Sequence, residues 1–107
     1  MATRRRSKPK DLAVARLSGT AANYANRPEL DVDAAVAALR AVPAVTPEHL
    51  AETAGVILGA HRSDMDFDQQ ALKAALLIAA GADLSRLRHW IKVGQQRASR
   101  RAHFSPD

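Results

Sequence analysis

The side chains with the clearest capacity for chemistry are the arginines and lysines near the two ends of the chain. Residues 1–10 hold five basic and no acidic side chains, residues 11–83 five basic and ten acidic, and residues 84–107 six basic and one acidic. Basic segments at both ends of an acidic body are typical of a protein that binds a polyanion at two places. The alternative is that the basic ends only keep the protein soluble.

The C-terminal cations are spaced so that a helix would place them along one face. At 100° per residue, one side of residues 84–101 is an apolar stripe with Trp90 at its edge; its members are Leu84, Leu87, Ile91, Gly94 and Ala98. The opposite side is polar and is flanked by Lys92 and Arg97; its members are Arg86, His89, Val93, Gln96 and Arg100. Arginine can bind guanine, glutamine can bind adenine, and both Lys and Arg bind phosphate. We therefore expect contact with nucleic acid, the alternatives being a solvated face or a face for an acidic protein or anionic lipid.

The N-terminal cations belong to a segment without helical or strand periodicity. Arg4, Arg5 and Arg6 precede Ser7 and Pro9, and no apolar run is present. Residues 1–10 are therefore predicted to form a disordered basic arm. Such an arm would bind DNA phosphates or enter the minor groove.

The acidic and histidine side chains offer weaker chemistry. Asp64, Asp66 and Asp68 have the spacing of a calcium loop, but that loop requires glycine at its sixth position and glutamate at its twelfth, where this chain has Gln69 and Ala75. These acids are better explained as caps of the following helix.

Two histidines have an acidic neighbour but no third partner. The pairs are His49 with Glu52 and His61 with Asp64, and they are expected to be exposed polar side chains. The chain has no cysteine and no glycine-rich phosphate loop. The sequence therefore predicts neither an enzyme nor a metal or cofactor site.

The elements that must position these residues are predicted to be helices. Ala, Leu and Arg favour helices, and only 4% of the residues are aromatic, so we expect an all-α fold. The prediction is one compact domain of four to five short helices over residues 11–103, with a tail at 104–107. The expected helices span residues 11–25, 31–42, 47–60, 67–80 and 84–101, and the first has a weak point at Ser18–Gly19–Thr20.

Local signals mark several of these helix ends. Asp31 or Asp33 can cap the second helix, and Thr46 followed by Pro47 is a start signal for the third. Gly81 ends the fourth helix and Asp83 can cap the fifth. The fourth helix is apolar almost all round and is expected at the centre of the fold. Trp90 is expected to be a core anchor, with a dimer interface as the alternative.

The turn before the last helix resembles the helix-turn-helix motif of DNA-binding domains over about 20 residues. With Gly81 as the turn glycine, the apolar positions of the motif are filled by Leu76, Ala80, Ala82, Leu87 and Trp90. Leu77 departs from the motif, which has a small residue there. The resemblance implies that the last helix packs on the fourth and enters the major groove. A second match to the first half of the motif, within residues 47–56, is interpreted as part of a continuous core helix.

These observations predict a small cytoplasmic DNA-binding protein, of the regulator or recombination, plasmid or phage accessory type. It would dimerise through apolar surface on its first or second helix. No stretch is long and apolar enough to span a membrane. The alternative is a helical adaptor or inhibitor whose basic ends bind an acidic protein.

Overall fold

The computed structural model describes residues 9–60 and 67–103, and these form helices joined by short loops without a strand. The prediction of an all-α fold is confirmed. In this part of the chain the helices are α1 (Pro9–Ala25), α2 (Val32–Arg40), α3 (Pro47–Ala60), α4 (Phe67–Ala79) and α5 (Leu84–His103). None of them combines the length and the hydropathy that are needed to cross a lipid bilayer.

Helix α1 begins two residues earlier than predicted and does not break in the middle. Pro9 suits the first position of a helix, because that position needs no N–H donor. Thus Pro9 and Lys10 belong to α1 rather than to the predicted arm, whose other residues lie outside the described range. Gly19 is exposed, so it weakens the helix without interrupting the buried side. That side consists of Ala13, Leu17, Ala21 and Ala25, each four residues after the last.

Helix α2 starts as predicted and ends two residues early. The Asp31 carboxylate accepts a hydrogen bond of 3.0 Å from the N–H of Ala34, which confirms it as the N-cap. The helix ends at Arg40 with Ala41 as its C-cap, and Pro43 prevents a longer helix because the residue before a proline is disfavoured in helical conformation. Ala44 then adopts a φ of 64°, a left-handed conformation that turns the chain toward α3.

Helix α3 is more deeply buried than α4, which was expected at the centre of the fold and contributes to the core together with it. Helix α3 packs against α1, α4 and α5, whereas α4 packs against α1, α2 and α3. The side chains of Leu76 and Leu77 are buried in the core, but Ala75 and Ala79 on the same helix are exposed. Helix α3 can be surrounded because its small residues bring neighbouring backbones close; its buried residues are Leu50, Ala51, Glu52, Thr53, Ala54, Gly55 and Gly59.

The connection between α4 and α5 is a short turn that is tied to the start of α3. Gly81 has a φ of +116°, which only glycine adopts readily, and this ends α4 as predicted. The Asp83 carboxylate accepts hydrogen bonds from the Ser85 N–H (3.0 Å) and hydroxyl (2.6 Å), so Asp83 caps α5. The Asp83 N–H donates to the carbonyl of Pro47 at 3.0 Å. The first turn of α5 is thereby held beside the first turn of α3.

Candidate nucleic-acid interface

The candidate interface lies on α5, a helix of 20 residues that contains no Asp or Glu. Its most extensive contact is with α3. The helix-turn-helix interpretation expected α4 to support the last helix instead, and this expected packing is not what the structure has. The resemblance to helix-turn-helix domains itself stays a prediction.

Three glycines allow α3 and α5 to touch through their backbones. A Cβ added to Gly55 would lie 2.5 Å from the Trp90 Cβ, and one added to Gly94 would lie 2.6 Å from the Val56 carbonyl oxygen. A Cβ on Gly59 would overlap the carbonyl oxygen of Ile91. Real side chains do not approach so closely, so each position requires glycine as long as the two helices keep this separation.

The glycine contact sets which side of α5 faces the bundle. Leu87 packs against the core, and Trp90 and Ile91 are half-buried beside α3. Leu84 was predicted to belong to the apolar stripe, but 64% of it is exposed, so this assignment is wrong. The contact face is displaced toward Trp90, which was predicted to be a core anchor but is half-buried and lies in the contact between α3 and α5.

The outer face of α5 is polar and exposed. All six residues of α5 that were predicted to bind nucleic acid are exposed: Arg86, His89, Lys92, Gln96, Arg97 and Arg100. Val93, which was predicted to lie on this face, is half-buried. Arg88 is exposed as well and was missed. Its position four residues before Lys92, on the same side of a helix, was the signal that could have identified it.

One of these cations is paired with a carboxylate of α3. The Arg86 Nε donates to both oxygens of Glu48, at 3.2 and 3.3 Å. The same carboxylate accepts a hydrogen bond of 2.6 Å from the Trp90 Nε1. The His89 ring lies edge-on to Trp90, with 4.8 Å between the ring centroids.

The remaining cations of the outer face have no carboxylate partner among the described residues; they are Arg88, Lys92, Arg97 and Arg100. Because α5 itself contains no acid, their fields add rather than cancel. We call the exposed half of α5 that carries these four residues together with His89 and Gln96 the basic face; Arg88 and Arg97, nine residues apart, lie at its opposite edges.

Several other predicted residues lie elsewhere or outside the described range. Arg4, Arg5 and Arg6 lie outside it, as do the His61 pair with Asp64 and the calcium-like spacing at Asp64 and Asp66. On α3 the expectation of exposed side chains fails for Glu52, which is 6% exposed because three helices surround α3. Among the described residues no three His, Asp or Glu side chains gather as a metal site would require.

The fold and the basic face define a helical bundle with a positively charged outer helix. No family model, curated protein or solved structure matches this chain.

Proposed function

We propose that this protein binds duplex DNA through the basic face of α5. The observation that carries the proposal is the group of four exposed cations without a carboxylate partner among the described residues. On a surface that serves only solubility, such charges are commonly interspersed with acids. Here they share one helix that is fixed to the bundle by its other side.

The dimensions of α5 suit a DNA groove. A helix of 20 residues is about 30 Å long and, with its side chains, about as wide as the major groove. Lys92 and Arg100 would contact phosphates, while Gln96 between them would reach a base edge. Arg4, Arg5 and Arg6 would add phosphate or minor-groove contacts from the other basic segment.

The proposal includes a homodimer that acts in the cytoplasm. Small recognition modules commonly dimerise, because one helix buries too little surface for tight and specific binding. Exposed apolar side chains on α1 and near the start of α2 are available for this contact: Leu12 (46% exposed), Leu30 (37%) and Val32 (46%). In a DNA titration, a dimer would give a stoichiometry of two protomers per duplex.

The test is a titration of fluorescently labelled duplex DNA at several salt concentrations, read by anisotropy. Each phosphate contact releases about 0.9 counterion, so log K must fall linearly with log salt. The double variant Lys92→Gln/Arg100→Gln loses two contacts, which makes the slope less steep by roughly 1.8 and weakens binding roughly 60-fold at 0.1 M salt.

A matched control removes the same charge elsewhere. The variant Arg16→Gln/Lys73→Gln changes α1 and α4, which do not carry the basic face. We expect its salt slope to equal that of the wild type. Absence of binding at low salt, or equal slopes for the two double variants, would contradict the proposal. Binding to an acidic protein without binding to DNA would favour the adaptor interpretation instead.

A further inference from the structure

We infer that Glu48 is a positioning residue that holds the Arg86 guanidinium in one orientation for a directed contact with DNA. This inference rests on the proposed function and assigns different roles to the cations of α5. Arg86 would make a geometrically defined contact, whereas the cations of the basic face would mainly attract phosphates. The feature that carries it is the set of bonds made by one carboxylate at the start of α3.

The Arg86 guanidinium uses one of its five N–H donors inside the protein. Its Nε lies 3.2 and 3.3 Å from the two Glu48 oxygens. The four N–H groups on the two Nη atoms have no partner among the described residues, and 46% of the side chain is exposed. These Nη groups form the fork that binds a guanine edge or a phosphate bidentately. The pair with Glu48 therefore restricts Arg86 without occupying its binding atoms.

The Glu48 carboxylate is itself fixed. It lies in the first turn of α3 and accepts the Trp90 Nε1–H at 2.6 Å. The Asp83–Pro47 backbone hydrogen bond holds the beginnings of α3 and α5 together at the same place. Because both helices contribute to this contact, the Arg86 guanidinium is held relative to α3 as well as to α5.

Two roles of Glu48, neutralising Arg86 or positioning it, predict opposite changes in DNA affinity when Glu48 is replaced by glutamine. If Glu48 only neutralises Arg86, its replacement by glutamine removes a negative charge and strengthens DNA binding. If it positions Arg86, the replacement weakens binding, because DNA must then immobilise a free arginine side chain. The entropy of immobilising one long side chain corresponds to roughly a twofold to tenfold loss of affinity.

The experiment is a double-mutant cycle with Glu48→Gln, Arg86→Gln and the double variant, measured on labelled duplex DNA. Glutamine at position 48 keeps an oxygen acceptor for Trp90, so the variant should remain folded. Trp90 fluorescence and circular dichroism check this. We expect Glu48→Gln to weaken binding in the wild type but to strengthen it slightly, or leave it unchanged, when Arg86 is already replaced.

Tighter binding by the single Glu48→Gln variant would overturn the positioning role while leaving the proposed function intact. Failure of the wild type to bind any duplex would refute the proposed function instead. A measurement without DNA tests the positioning role independently of the proposed function. Nitrogen-15 relaxation should show that the Nε–H group of Arg86 is rigid and that the Nε–H group of Arg88 is mobile. Equal mobility of the two groups would refute the positioning of Arg86 whether or not DNA binds.

Discussion

Replacing Gly94 with alanine should destabilise the protein even though alanine is the better helix former. The added Cβ would lie 2.6 Å from the carbonyl oxygen and 2.9 Å from the Cα of Val56. A relaxed carbon–oxygen contact is about 3.4 Å, so α3 and α5 would have to separate by about 0.8 Å. A gap of that size forfeits about a quarter to a half of the dispersion attraction across a contact.

The net effect is a difference of two terms. An extra methyl group in a close-packed contact costs about 1–3 kcal/mol, and the upper value applies here because the obstructing atoms are backbone and cannot rotate away. Alanine gains about 1 kcal/mol in helix propensity over glycine. The expected loss of unfolding free energy is therefore about 2 kcal/mol, which lowers Tm by roughly 10 °C.

The assay is denaturant unfolding followed by circular dichroism and by the fluorescence of Trp90, the only tryptophan, which lies in the α3–α5 contact. Gly19→Ala is the matched control, because a Cβ at Gly19 meets nothing within 4 Å. That variant should gain up to about 1 kcal/mol from helix propensity. A Gly94→Ala protein as stable as the wild type would refute the backbone contact between α3 and α5.

Two further stability predictions follow from burial and capping. Leu77 is fully buried, so Leu77→Ala should lower the unfolding free energy by about 2–5 kcal/mol. Leu84 is 64% exposed, so Leu84→Ala should lower it by less than about 0.5 kcal/mol. Equal losses of the two variants in thermal melts would show that Leu84 takes part in the apolar contact after all. Asp31→Ala removes the carboxylate that accepts from the Ala34 N–H and should cost about 1 kcal/mol in the same melts, while Asp31→Asn should retain most of the stability.

The helices were predictable because their ends are set by neighbours in the sequence. Thr46 precedes the proline that opens α3, and its hydroxyl oxygen accepts a hydrogen bond of 3.1 Å from the His49 N–H. Asp31, Gly81 and Asp83 act as equally local signals for three other helix ends. Such signals depend on residues within one turn of each other, so they do not require knowledge of the tertiary structure.

The packing of the helices was not predictable in the same way. Hydrophobicity placed α4 at the centre, but the close approach that buries α3 more deeply depends on residues without side chains. Gly55 and Gly59 carry no hydropathy signal that distinguishes a backbone contact from a weak point in a helix. The same limitation misplaced Leu84, because the face of α5 that includes Gly94 could be oriented only against α3. The interaction of Glu48 with α5 joins residues 38 and 42 positions apart, and no local pattern indicates it.

The two sides of α5 therefore serve separable purposes. Its inner side holds the helix by backbone contact at Gly94 and by the hydrogen bond from Trp90 to Glu48. Its outer side makes no contact with the other described residues that is comparable, apart from the Arg86–Glu48 ion pair. Like charges four residues apart, such as Arg88 and Lys92, destabilise a helix by a few tenths of a kcal/mol. This pair thus does not stabilise the helix. The four cations of the basic face remain exposed on a helix that contains no acid, and this is why we attribute to them a role in binding a polyanion.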